Sequence, residues 1–198
     1  DRAVVRMQEA GLCSRQGNLQ DAERLLREAI ELLREDRAET TFEFAQACNQ
    51  LSEVFFAQDR HQAAWELARH AGALLIGQLP DEHPDVLRTR NNLAALHLVR
   101  REYVLAERLF RRNLVGLERS IPPDDPRLIG PLHNLSVTQR HLRRFKDAED
   151  HSRRALRMAR HLFGEGHPQC AQSLAELAEI AAAQGAWSVA ERSLTEAL

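Results

Sequence analysis

A step of 42 residues organises the chain. Counted from Ala22 it lands on Ala64, Ala106, Ala148 and Ala190, and counted from Ala10 on Ser52, Ala94, Ser136 and Ala178, a small residue at every stop. Leu51, Leu93, Leu135 and Leu177 make a third column, and Leu12, Val54, Leu96, Thr138 and Ile180 a mostly apolar fourth. Self-similarity at a fixed interval of this length marks a chain built from stacked supersecondary units, each too small to bury its apolar face alone. Small residues at fixed places in two successive segments are what close helix packing needs, because a bulky side chain there would push helix axes beyond about 8–10 Å. The columns therefore predict contacts between helices.

The residue types agree. Ala, Leu, Arg and Glu outnumber Val, Ile, Tyr and Phe, which favours helix over strand. Each unit reads as a first helix, a short turn, a second helix and a longer loop. First helices are expected over 3–16, 42–58, 85–100, 127–142 and 169–184, second helices over 19–34, 61–77, 103–119, 145–162 and 187–198. Breakers fill the longer loops: Pro80-Asp81-Glu82-His83-Pro84, Pro122-Pro123-Asp124-Asp125-Pro126 and Gly164-Glu165-Gly166-His167-Pro168. The last prolines again stand one step apart, at the first turn of a helix, where a missing N–H costs nothing. Leu19, His61, Tyr103, Phe145 and Trp187 open the second helices and are expected to wedge into the turn between the pair. At that turn Asp59, Arg101 and Arg143 stand where the first and last units have Gly17 and Gly185. The expectation is an all-α solenoid of five helix-turn-helix units, a single domain over 1–198 with units of about 1–40, 41–82, 83–124, 125–166 and 167–198.

The pattern Ala106-x-x-x-Phe110, matched by Ala22-x-x-x-Leu26-x-x-Ala29, resembles the tetratricopeptide signature. Asp81-Glu82-His83-Pro84-Asp85-Val86, then Asn91-Asn92-Leu93-Ala94 and Ala106-Glu107, is similar to the kinesin-light-chain variety of that repeat, and Gly164-Glu165-Gly166-His167-Pro168 repeats its loop. The resemblance is weakest in the first unit, where Glu9 occupies the leucine column. HEAT and armadillo arrays have similar periods but would not be expected to carry the paired small columns or this loop. What the resemblance implies is a right-handed superhelix whose concave groove, lined mainly by first helices, binds protein segments.

Composition excludes several other functions. A net charge of −2 gives no global field for nucleic acid or an anionic membrane. Cys13, Cys48 and Cys170 lie far apart and suggest neither a disulfide framework nor a zinc site. No apolar run approaches the roughly 20 residues that span a bilayer, and a cytoplasmic protein, here without its initiator Met and so a piece of a longer chain, is expected. Among nine histidines there is no H-E-x-x-H, and the chain has no Gly-rich phosphate loop and no G-x-S-x-G. His133 and His141 share a helix but stand about two turns, roughly 12 Å, apart, too far for one metal ion. His83 and His167 are expected to hydrogen-bond their loops. No enzyme, cofactor or metal is expected.

One column stays polar throughout: Gln8, Gln50, Asn92, Asn134 and Glu176. It reads either as a solvated stripe or as a ladder that hydrogen-bonds the main chain of an extended peptide; in the kinesin-light-chain variety the matching asparagines lie in the groove. Around it the expected lining is Asn49, Gln50, Glu53 and Phe56 from the second unit, Arg88, Asn91, Asn92, Leu98 and Val99 from the third, and His133, Asn134, Val137, Arg140 and His141 from the fourth. The middle is basic and apolar together, which fits an acidic segment with one apolar or aromatic anchor. Chaperone tails fit less well, because Met7 and Gly11 stand where co-chaperone repeats grip a terminal carboxylate. Glu23 with Arg27, Glu107 with Arg111 and Glu149 with Arg153 sit four residues apart and read as a solvated outer face. Trp187, Ala190, Leu194, Ala197 and Leu198 would form an apolar end face, which opens the alternative of self-association through the C-terminal helix.

Overall fold

The structure, a computed structural model, describes residues 2–197; Leu198 lies outside the described residues. Among the described residues there are ten α-helices and one short 3-10 turn: α1 Arg2–Arg15, α2 Leu19–Glu35, α3 Phe42–Ala57, α4 His61–Leu75, α5 Pro84–Val99, α6 Tyr103–Ser120, the turn Pro126–Leu128, α7 Ile129–His141, α8 Phe145–Phe163, α9 Pro168–Ala183 and α10 Trp187–Ala197. The helices fall at the positions the 42-residue step predicts. They group into two compact units, Asp1–Arg100 and Arg101–Leu198, divided at the turn inside the third repeat.

In the first unit α1 packs on α2 and α3 on α4 as hairpins, and α2 meets α3, α4 meets α5, while the first helices α1, α3 and α5 also touch in succession. The second unit repeats the scheme with α7 on α8 and α9 on α10, α6 against α7, α8 against α9, and α7 touching α9. The small columns explain the hairpins within each unit: Ala22, Ala64, Ala148 and Ala190 are buried, as are Ala10, Ser52, Ser136 and Ala178 on the helices they pair with, and Ala94 and Ala106 are buried too. Where the second column holds serine, the hydroxyl is satisfied across the contact. Ser52 Oγ donates to the Ala64 carbonyl and Ser136 Oγ to the Ala148 carbonyl, each at 2.8 Å. A serine thus fits the same gap as an alanine without leaving a buried donor unpaired. Val54, Leu96, Thr138 and Ile180 of the fourth column are buried, whereas Leu12 is 53 % exposed.

The helix ends follow from the loop residues. Pro84 and Pro168 stand at the first position of α5 and α9, and the preceding histidine rings cap them: His83 Nδ1 accepts from Asp85 N–H and His167 Nδ1 from Gln169 N–H, each at 3.3 Å. The expected loop role of both histidines is therefore an N-cap. In the fourth repeat Asp125 takes that place, accepting from Arg127 N–H at 2.9 Å ahead of Pro126. The hydrogen bonds from Arg127 hold the Asp125 carboxyl at about 2, well below its ordinary value.

The outer face is less solvated than the sequence suggests. All three pairs four residues apart form, but Glu23 and Glu107 are largely covered and also reach the following repeat. Arg60 meets Glu23 at 2.8 Å and Arg144 meets Glu107 at 2.5 Å. Burial alone would raise these two carboxyls, and the arginines outweigh it, so both lie below their ordinary values. In the second repeat the same column holds Trp65, whose ring takes the His97 edge at 4.9 Å and the Arg100 guanidinium at 4.8 Å. Either way, an outward residue of one repeat clamps the next.

Candidate functional site

In the first unit the polar column runs along α1, α3 and α5, and the residues expected beside it separate by depth. Asn49 is not a groove residue: it is fully buried, with its amide donating to Thr89 Oγ1, which in turn donates to the Asp85 carbonyl at 2.6 Å. One residue further on, the helix turns Gln50 about 100° away from that seam, leaving it half-buried with its Oε1 shielded and unpartnered. Glu53 is exposed and accepts from the Asn92 amide at 2.9 Å. Asn91 and Asn92 are half-buried neighbours on α5.

Arg88, expected in the groove lining, carries a positive charge that is already compensated. Its guanidinium is held by Asp85 at 2.6 Å and stands 3.9 Å from Glu53. Asp85 also accepts from Gln46 at 3.1 Å, so α3 and α5 are joined by a continuous polar seam. Sequence reasoning missed Asp85 because it sits in the loop signature, one residue past the proline, and reads there only as a helix-start acid.

The second unit brings His133, Asn134, Val137, Arg140 and His141 together on α7, with α9 alongside. Arg140 is again compensated, by Glu176 at 2.9 Å and Glu179 at 2.7 Å. Glu176, the last member of the polar column, is buried, which raises its carboxyl even though Arg140 pulls the other way. It is a structural partner of Arg140, not an open rung. His133 has a shielded, unpartnered Nδ1, and burial followed by the nearby Arg140 charge pushes its ring below the ordinary imidazole value. His141 is lowered for the same two reasons and stacks on Tyr103 with ring centres 4.6 Å apart. Val137 is half-buried between these polar groups and supplies the apolar element.

Each face therefore carries amides, a compensated arginine and a shielded polar atom without a partner. Among the described residues no group of three or more His, Cys, Asp or Glu is arranged to hold a metal ion, and no helix is long and apolar enough to cross a membrane.

The architecture and these faces define a class, the helical-repeat proteins built from antiparallel helix pairs. Models of the tetratricopeptide repeat match residues 127–198 and residues 12–35 and 86–127, more than half of the sequence between them, and the chain belongs to the tetratricopeptide-repeat family. No curated protein matches it. Its fold is similar to that of a solved Podosopora anserina protein described by its kinesin light chain nearly identical TPR-like repeats, with a TM-score of 0.80 at 19% identity over 99% of this chain and 93% of the other. BtubC (BKLC) from P. vanneervenii aligns with a TM-score of 0.76 at 23% identity over 95% and 75%. The apo form of RapI aligns with a TM-score of 0.78 at 19% identity over 98% and 68%.

Proposed function

We propose that the chain is a non-enzymatic protein-interaction scaffold, with a short site for an extended peptide on the first-helix face of each unit. The observation that carries this reading is the pair of shielded polar atoms without a partner, the acceptor Gln50 Oε1 in the first unit and the ring nitrogen His133 Nδ1 in the second, beside the amides of Asn92 and Asn134. A shielded acceptor without a donor costs about 1–3 kcal/mol. An extended main chain presents N–H groups that could satisfy it while its carbonyls take amide protons. The compensated arginines set the preference for acidic side chains. The Glu53 contact to Arg88, at 3.9 Å, and the exposed Glu179 are the exchangeable partners, and a ligand carboxylate can take their places without stripping Asp85 or Glu176. Val137 is the anchor for an apolar residue. Such a module needs no resident cofactor, and the near-zero net charge gives nucleic acid and anionic membranes no general attraction.

A peptide array followed by calorimetry tests this. Acidic segments with one apolar residue should be selected, and Asn92→Ala or Asn134→Ala should each weaken binding about five- to a hundred-fold, the cost of an unpaired main-chain group. Unchanged affinity in the double variant would refute the reading. Self-association through α10 is then the second reading, favoured by one observation. Leu26, Ala68, Phe110 and Ser152, one step apart, are buried, whereas Leu194 in the same column is 50 % exposed and Trp187 nearby is 69 % exposed.

A further inference from the structure

The repeat supplies its own control for the outward face of each second helix. At three outward positions α2 has Gln20, Asp21 and Glu31, and α8 has Lys146, Asp147 and Arg157; α4 has Gln62 with two alanines. In α6 the same three positions hold Val104, Leu105 and Val115, which are 65 %, 38 % and 42 % exposed. With Glu107, Arg108, Arg111 and Arg112 they line a shallow groove of about 490 Å³ made from α6 alone, in which the buried Glu107 is already held by Arg111 and Arg144. Val104, Arg108, Arg111, Arg112 and Val115 follow the helical spacing of a single stripe, about 17 Å long at 1.5 Å per residue. The opposite face of α6, with Ala106, Phe110 and Leu114, is buried, so the apolar stripe is not core turned outward.

We propose that this stripe is a docking surface for an acidic amphipathic helix of a partner protein. The apolar side chains fit a helix that offers residues every three to four positions, and the charge fixes its chemistry. Helix α6 carries four arginines against two glutamates, and Arg108 has no carboxylate partner among the described residues. A second copy of this chain is a poor occupant, because a symmetric pairing would face this arginine row with itself. Nucleic acid is a poor one too, since the stripe has aliphatic side chains and no ring on which bases could stack.

The probe is a fluorescein-labelled 18-residue peptide with leucines at three- and four-residue spacing and glutamates elsewhere, followed by anisotropy. Saturable binding is expected. It should fall at least ten-fold with the Val104→Asp, Val115→Asp double variant and with Arg108→Glu, all at exposed positions whose far-UV dichroism should stay unchanged. It should be unaffected by Asn92→Ala, Asn134→Ala, which separates this surface from the first-helix faces, and a lysine version of the peptide should not bind. Absence of saturable binding, or binding that survives both outer-face variants, would overturn the proposal. So would binding abolished by the asparagine variants, self-association abolished by Val104→Asp, Val115→Asp in sedimentation, or phosphatidylserine vesicles binding in place of the peptide.

Discussion

A left-handed backbone costs an L-residue about 1–2 kcal/mol, yet Asp59, Arg101 and Arg143 adopt one at φ of 59°, 60° and 59°. Gly17 and Gly185 hold the same turn position at 78° and 79°. The reason is hydrogen bonding. The N–H after the left-handed residue returns to a carbonyl five residues back, Asn18 to Cys13 and Arg60 to Phe55 for example, at 2.9 and 2.8 Å, and closes the first helix before the second begins. The turn geometry is required whichever residue occupies it. Arg101→Gly should therefore raise stability by about 0.5–1 kcal/mol, the relieved strain less the entropy glycine gives up. Arg143→Gly should gain less because its guanidinium lies over Phe145, 5.9 Å from the ring centre. Gly17→Arg should lose a similar amount. Thermal melts check all three, and a destabilised Arg101→Gly would mean that this side chain contributes more than the strain it carries. Departures from glycine here were legible as departures, but their conformation was not, since arginine favours no left-handed state.

The helices themselves were readable because their boundaries are chemical. A ring nitrogen or carboxylate followed by proline ends a loop and starts a helix at His83, Asp125 and His167, and the structure puts a cap at each. Replacing His167 by Ala should cost about 0.5–2 kcal/mol, the usual loss for a missing cap, and His167→Asp should recover most of it because Asp125 already serves that role one repeat earlier. Chemical denaturation of the two variants decides this, and equal midpoints would show that the ring does not cap. Lateral contacts between helices were harder to read. Period alone placed Asn49 beside Gln50 in one lining, whereas a 100° helical turn buries the first in the α3–α5 seam and leaves the second at the edge. The pairing of Arg140 with Glu176 and Glu179 was hidden for a related reason, since no spacing rule links residues on neighbouring helices, whereas Asp85 and Arg88 stand three apart on one helix and could have been paired from the sequence.

For the whole molecule, small residues in fixed columns dictate which helices touch, and five repetitions made the fold plain in the sequence. Function is less plain, because a repeat constrains its core in every copy and, apart from the polar column, little of its surface. The outer stripe of α6 is a place where one repeat departs from the others, and it could have been found by comparing outward columns as carefully as inward ones. The central claim is that side-chain amides and shielded polar atoms on the first helices take up a peptide main chain. It is tested most directly by recording the side-chain amide signals of 15N-labelled protein during titration with the peptide selected on the array. The account predicts that the amide protons of Gln50, Asn92 and Asn134 shift and become protected from exchange at saturation, while Asn113, buried in the core, does not move. Saturation with those three signals unmoved would contradict it.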